Sequence, residues 1–167
     1  MNLFFLRHAK AEPRSEKTGS DAKRPLSSKG EKTIRAVAKG MRQLDLSFDV
    51  IVTSPFVRAA RTAEVAADIL KIEKVWTSQN LGANGNPSKL IDELNENSHD
   101  LKNILLVGHE PYLSKLISIL LTGDCSLRME LKKAALCKLS VDTLRLGNCA
   151  HLDWLLTPRQ LQKIGKK

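Results

Sequence analysis

Three observations predict an α/β fold whose sheet is mostly parallel and covered by helices on both faces. Short aliphatic runs alternate along the chain with longer segments of helical period. The strand candidates at Leu3 to Leu6, Val50 to Val52 and Ile104 to Val107 are apolar without a break, as strands buried on both sides are. Residues suited to chemistry stand directly after three of these runs, where an open α/β sheet holds its ligands. With 167 residues, 42% of them hydrophobic, residues 1–167 read as a single domain.

Asn2 to Leu6 reads as the first buried strand, ending at Arg7 and His8. Ala9 to Arg24 is polar and broken by Pro13 and Gly19, so it reads as a long exposed loop, and loops of that length tend to be functional. Ser28 is the expected N-cap of a helix whose apolar face is Ile34, Val37, Ala38, Met41 and Leu44. Asp49 to Thr53 is the second strand. Ser54 and Pro55 then read as the N-cap and first residue of a helix with Ala59, Ala63, Ala66, Ile69 and Leu70 on its inner face. Val75 to Thr77 is a short strand, Leu81 to Pro87 a loop, and Leu90, Ile91 and Leu94 mark a short helix. Ile104 to Val107 runs straight into Gly108 and His109, and Leu113, Leu116, Ile117, Leu120 and Leu121 line the helix that follows. Ala134 to Val141 and His151 to Leu156 are late strands, whose shorter connection allows an antiparallel member, and Arg159 to Lys167 reads as a basic tail.

Composition narrows the function. No apolar run approaches the ~20 residues of a bilayer span, so no membrane partner is expected. Leu3 to Leu6 lacks the flanks of a signal peptide, and Cys125, Cys137 and Cys149 are odd in number, so reduced thiols and a cytoplasmic location are expected. Lysine and arginine total 27 against 18 acids, which favours an anionic partner. Four phenylalanines, two tryptophans and one tyrosine are too few and too apolar in setting to interleave with the basic residues and stack bases, which argues against nucleic acid.

If the strands are parallel, Arg7, His8, Arg58 and His109 meet at one sheet edge, beside helix N-termini that favour an anion. A phosphoryl group suits such a site. A neutral imidazole is a competent nucleophile toward phosphorus, and nearby guanidinium groups keep its proton off. His8, flush with its strand end, is the candidate nucleophile. Arg7 and Arg58 offer planar forks to phosphate oxygens, with His109 as a further donor. Taken one at a time, each of these residues has an ordinary structural reading; it is their joint position that points to chemistry. His99 and His151 have no comparable setting and read as surface or packing residues. Thr62 and Ala63 read as packing, and Arg61 as a stem lying over its helix.

Arg7-His8-Ala9, Ser54-Pro55-Phe56-Val57-Arg58-Ala59 with Thr62-Ala63, and Gly108-His109-Glu110-Pro111, in that order, resemble the histidine phosphatase superfamily. The short length and the segment Arg24-Pro25-Leu26-Ser27-Ser28-Lys29-Gly30 resemble its SixA-like phosphohistidine phosphatase branch, and the likeness runs to about Thr122. The resemblance implies a three-layer α/β/α sandwich with one antiparallel strand and a phosphohistidine intermediate on His8. It implies a phosphate pocket of Arg7, Arg58 and His109, with Arg24 near its entrance, and no metal or organic cofactor. The implied substrate is phosphohistidine on a protein. Small phosphate esters, handled by a phosphatase or mutase, are the alternative, and a phosphate-binding module without turnover is another. Where members acting on sugar phosphates continue with Glu-Ser, this chain has Lys10-Ala11, which argues against such metabolites. The loop that carries a general acid in many members reads Leu81-Gly82-Ala83-Asn84-Gly85-Asn86, without a carboxyl group, and Glu110 is the available substitute. A phosphoramidate leaving group needs less help than an alkoxide.

Overall fold

The computed structural model describes residues 1–14, 19–97 and 100–166. Six strands form one sheet: β1 (Asn2–Arg7), β2 (Val50–Thr53), β3 (Val75–Thr77), β4 (Asn103–Gly108), β5 (Leu136–Val141) and β6 (Ala150–Leu156), in the order β3-β2-β4-β1-β5-β6. β3, β2, β4 and β1 pair in parallel, and β5 runs against both of its neighbours, β1 and β6. The expected single antiparallel strand is therefore β5.

Alternate residues of the central strands feed two cores, as the two-residue period of a strand requires. Leu3, Phe5, Ile104 and Leu106 pack with Leu90 and Leu94 of α3 (Pro87–Asn97) and Leu113, Leu116 and Leu120 of α4 (Tyr112–Thr122). Phe4, Leu6, Leu105 and Val107 pack with Ile34, Val37 and Met41 of α1 (Ser28–Gln43), Ala59, Ala63 and Ala66 of α2 (Val57–Leu70) and Leu161 of α5 (Pro158–Ile164). These are the three layers. The helices that follow the neighbouring strands β1 and β4 thus lie on opposite faces, which opens a crevice beyond their carboxyl ends.

Several expectations need correction. α1 is capped by Ser27, whose Oγ accepts from Gly30 N at 3.1 Å, so Ser28 is the first helical residue and not the cap. Ser54 does not cap α2, because the helix begins at Val57 after a non-capping Phe56. Residues 159–166 are not a free tail. Thr157 and Gln160 form a capping box, Pro158 opens α5, and Leu161 is fully buried. Gly40 of α1 makes that seat possible, since a Cβ there would lie 2.1 Å from the Leu161 carbonyl oxygen.

The loop after β1 is not simply exposed either. Ala9 and Ala11 are buried, Ala11 bridges Leu26, and Ser27 N donates to the Lys10 carbonyl at 2.9 Å. Ala9 N donates to Thr62 Oγ1 at 3.1 Å, and Thr62 Oγ1 donates to the Arg58 carbonyl at 2.7 Å. Thr62, expected to be mere packing, therefore stitches the backbone after His8 to α2. His151 is exposed on β6, and His99 lies outside the described residues.

Candidate active site

The expected convergence takes place. The His8 amide donates to the Gly108 carbonyl at 3.0 Å, which places the end of β1 against the end of β4. The His8 and His109 rings lie 5.0 Å apart, and both residues are almost wholly buried. Arg58, at the start of α2, reaches the same point: its Nε donates to His8 Nε2 at 3.1 Å.

The hydrogen bonds of His8 assign its tautomer. A carbonyl oxygen only accepts, so the 2.7 Å contact between Nδ1 and the Ala9 oxygen puts the ring proton on Nδ1. Arg58 Nε only donates, so Nε2 carries a lone pair. Burial is the largest influence on this ring and lowers its pKa. The Ala9 bond opposes that, while His109, Arg58 and Arg7 lower it further, and the outcome is about 3. His109 falls to about 4, first through burial and then through Arg58 and Arg7, with Asp21 opposing. Both imidazoles are neutral near pH 7.

His109 is oriented by Ser54, whose Oγ lies 2.7 Å from His109 Nε2 and also accepts from Phe56 N at 3.3 Å. The Phe56 ring packs against His109 at 4.7 Å and under the Arg58 guanidinium at 5.0 Å. His109 Nδ1 and Arg7 Nε are buried with no partner among the described residues, an arrangement that leaves polar capacity for a ligand. Arg7 Nη1 donates to the Leu131 carbonyl at 2.9 Å, which ties this side chain to the segment before β5.

The residue that sequence reasoning missed is Asp21, in a short 3-10 turn, Asp21–Lys23, within the loop after β1. Arg58 Nη2 donates to its carboxylate at 2.8 Å and Arg58 Nη1 to its carbonyl at 2.7 Å. Arg24 Nη1 and Arg14 Nε reach the other carboxylate oxygen at 2.7 and 3.3 Å. Burial would raise the Asp21 pKa, but the hydrogen bonds from Arg58, Arg24 and Arg14 prevail and hold it at about 2. Arg24 therefore joins the cluster through Asp21, with its Nε on the Glu12 carbonyl at 3.0 Å, and makes no direct bond to His8. The only signal for Asp21 in the sequence is its place between Lys17 and Lys23, as one of three acids, with Glu12 and Glu16, in the loop after β1. Arg61, one helical turn from the site, is held by Glu31 at 2.7 Å and Glu64 at 3.1 Å.

Glu110 has one carboxylate oxygen bonded by Ser114 Oγ and the other buried without a partner among the described residues. Burial raises its pKa, so its proton is more readily kept than on an exposed glutamate. The cluster as a whole offers an uncharged nitrogen lone pair, two guanidinium groups and a second imidazole. That set can receive a tetrahedral anion at an electrophilic phosphorus.

Comparison with known proteins agrees. The model of the histidine phosphatase superfamily (branch 1) matches residues 3–82. An uncharacterized protein of Picosynechococcus sp. (strain PCC 7002) is 35% identical over 157 residues, covering 92% of each chain. Phosphohistidine phosphatase SixA of Escherichia coli (strain K12) is 26% identical over 128 residues, covering 74% of this chain and 76% of its own. The fold superposes on the protein histidine phosphatase SixA complexed with tungstate, with a TM-score of 0.83 and 23% identity over 96% of this chain and 99% of that one. A putative alpha-ribazole-5'-P phosphatase from Escherichia coli shares the fold at a TM-score of 0.74 and 18% identity, covering 95% and 98%. The motifs at the ends of β1, β2 and β4 and these likenesses carry one conclusion: the chain belongs to the histidine phosphatase superfamily, in its SixA-like branch.

Proposed function

We propose that this protein is a phosphatase that removes the phosphoryl group from a phosphohistidine on a protein, by way of a phosphohistidine intermediate on His8. One observation carries the reading: His8 presents a lone pair on Nε2, with Nδ1 committed to the Ala9 carbonyl, in a buried site where Arg58 and His109 converge. In the first step Nε2 forms a bond to phosphorus, and the P–N bond of the substrate breaks. When the second nitrogen of that ring is protonated, a neutral imidazole departs. In the second step water attacks the phosphorus on His8, and inorganic phosphate leaves with Nε2 restored. Arg7, Arg58 and His109 hold the oxygens while charge spreads over them, and Arg24 stands at the entrance.

The loop at 82–86 carries amides and no carboxyl group, which favours a leaving group that needs no strong acid. Glu110, with its raised pKa, is the carboxyl group available beside His109. Turnover of small phosphate esters is the alternative.

The test is a panel of phosphohistidine proteins, phosphoramidate and sugar phosphates, assayed in chelator with wild type and His8→Ala. The expected result is turnover of the phosphoramidates, complete loss in His8→Ala, and a trapped acid-labile phosphoryl group on wild type alone. Turnover by His8→Ala would overturn the mechanism, and a preference for sugar phosphates would overturn the substrate class.

A further inference from the structure

We infer that the mouth of the site is a docking surface for an acidic protein face: a cationic collar of Lys10, Arg24, Lys132 and Lys133, continued by an apolar groove, that receives carboxylates and an apolar side chain flanking the substrate phosphohistidine. This inference rests on the function proposed above and deepens it.

The backbone places the collar. Lys10 stands two residues beyond His8, and its carbonyl takes the Ser27 amide at 2.9 Å and the Ser27 hydroxyl at 3.1 Å. Lys132 and Lys133 sit on a turn strapped to Arg7 from both sides. Arg7 Nη1 donates to the Leu131 carbonyl at 2.9 Å, and Ala134 N donates to the Arg7 carbonyl at 3.0 Å. Arg24 is tied to Asp21, and Asp21 to Arg58, at 2.7 and 2.8 Å. Lys10, Lys132 and Lys133 are exposed. Their charges crowd one another: the Lys133 pKa is lowered first by partial burial and then by Arg7, Arg24, Lys10 and Arg58.

The acids of this edge do not cancel the collar. Asp21 already takes bonds from three arginines, and Glu110 takes the Ser114 hydroxyl on one carboxylate oxygen. Glu12 and Glu130 remain. A phosphoryl group seated on Arg7 and Arg58 leaves the lysines unneutralised, so a substrate with further negative charge around its phosphoryl group fits better than one without it.

The groove argues for a protein in place of a metabolite. About 450 Å³ of space is lined by Pro25, Leu26, Pro55, Val57 and Ala60, with Arg61 bound between Glu31 and Glu64 at its wall. Pro25 of the groove follows Arg24 of the collar, and Val57 precedes Arg58, so groove and collar are built from neighbouring residues of the chain. Val57 is 43% exposed at the head of α2, an apolar side chain offered to a partner. A small phosphate ester centred on His8 has no group to fill this groove, whereas the apolar neighbour of a phosphohistidine on a protein surface does.

The test compares two synthetic peptides of equal length, each with one phosphohistidine and one leucine, flanked by glutamates in one and glutamines in the other, alongside phosphoramidate. The enzymes are wild type, Lys10→Glu/Lys133→Glu and Val57→Ser. Wild type is expected to favour the glutamate peptide by about tenfold in kcat/KM at low salt, chiefly through KM, the ratio falling toward one at ~0.5 M salt. In Lys10→Glu/Lys133→Glu the preference disappears, and Val57→Ser weakens both peptides about threefold, while phosphoramidate turnover changes less than about twofold in either variant. If the charge swap does not fold, judged by its thermal midpoint, Lys10→Gln/Lys133→Gln is read instead. Equal use of both peptides by wild type that turns over phosphoramidate sinks the collar and leaves the phosphatase standing. A glutamate preference that survives the charge swap also sinks it. Failure on all three substrates sinks the phosphatase reading, and this inference with it.

Discussion

Asp21→Asn isolates the ion cluster at the mouth of the site. The substitution keeps the shape of the side chain and removes its charge, leaving Arg58, whose side chain is 7% exposed, without a carboxylate partner. The pKa of Asp21 lies at about 2 in the fold against 3.8 as reference. At about 1.4 kcal/mol per unit this corresponds to roughly 2 kcal/mol of stability at neutral pH. Because Asp21 is 30% exposed, water screens the cluster, and a cost of about 1–2 kcal/mol is expected. For a chain of this size that is a fall of roughly 2–8 °C in the thermal midpoint. The sign of the pH dependence follows from the depressed pKa. The stabilisation is fully present above the unfolded value near 3.8 and is lost as pH falls through about 2. Urea titrations of wild type and Asp21→Asn should therefore show the full gap at pH 7 and about half of it at pH 3. No gap at pH 7, or a gap of the same size at pH 3, would refute the view that this carboxylate holds Arg58 through its charge.

Three further outcomes are expected. In nuclear magnetic resonance titrations of the free protein, the His8 and His109 rings stay neutral through pH 5 and titrate near 3 and 4; a His8 midpoint near 6.5 contradicts the buried, Arg58-bonded geometry. Because both pKa values are lowered by folding, the unfolded chain takes up protons that the native state refuses, and their effect is a loss of stability as pH falls below about 6.5. Ser54→Ala removes the partner of His109 Nε2 and should lower kcat/KM on phosphoramidate roughly three- to tenfold with the fold retained, as one lost hydrogen bond warrants; wild-type kinetics would show that Ser54 does not orient that ring. Leu161→Ala should cost about 2–4 kcal/mol in denaturant titration, because Leu161 is fully buried; a cost below 1 kcal/mol would return residues 158–164 to the status of a loose tail.

What could be read from the sequence was what local pattern encodes. β1, β2 and β4 each hold an unbroken apolar run, so their identity, their burial on both faces and the place of His8, Arg58 and His109 at one sheet edge follow from the residues alone. The antiparallel setting of β5 does not, because Leu136–Val141 is compatible with either pairing; the short connection allows an antiparallel member, and the resemblance implies one such strand without assigning it. α5 reads as a tail in the sequence because Arg159, Lys163, Lys166 and Lys167 outweigh one buried leucine in a seven-residue helix, and the glycine that receives that leucine lies far away on α1. Ser54 reads as a cap because a serine before a proline usually is one. Its hydroxyl faces His109, which follows a strand more than fifty residues later, and no local pattern records that.

Asp21 shows why such residues stay hidden in a sequence. Polar composition in a long loop is ordinarily evidence of solvation, and for an isolated segment that inference is sound. It fails when the charges of the loop are complementary to charges that the fold brings from elsewhere. Arg58 comes from α2, and its burial between His8 and Phe56 leaves a guanidinium that is costly unless an acid meets it. The loop after β1 supplies that acid with its carboxylate and its backbone carbonyl together, and so Asp21 is tied to α2 where its polarity alone would leave it in water. The signal to seek in such a loop is therefore not its polarity. It is an acid set between basic residues, as Asp21 is between Lys17 and Lys23, within reach of a strand end that already carries an arginine and a histidine.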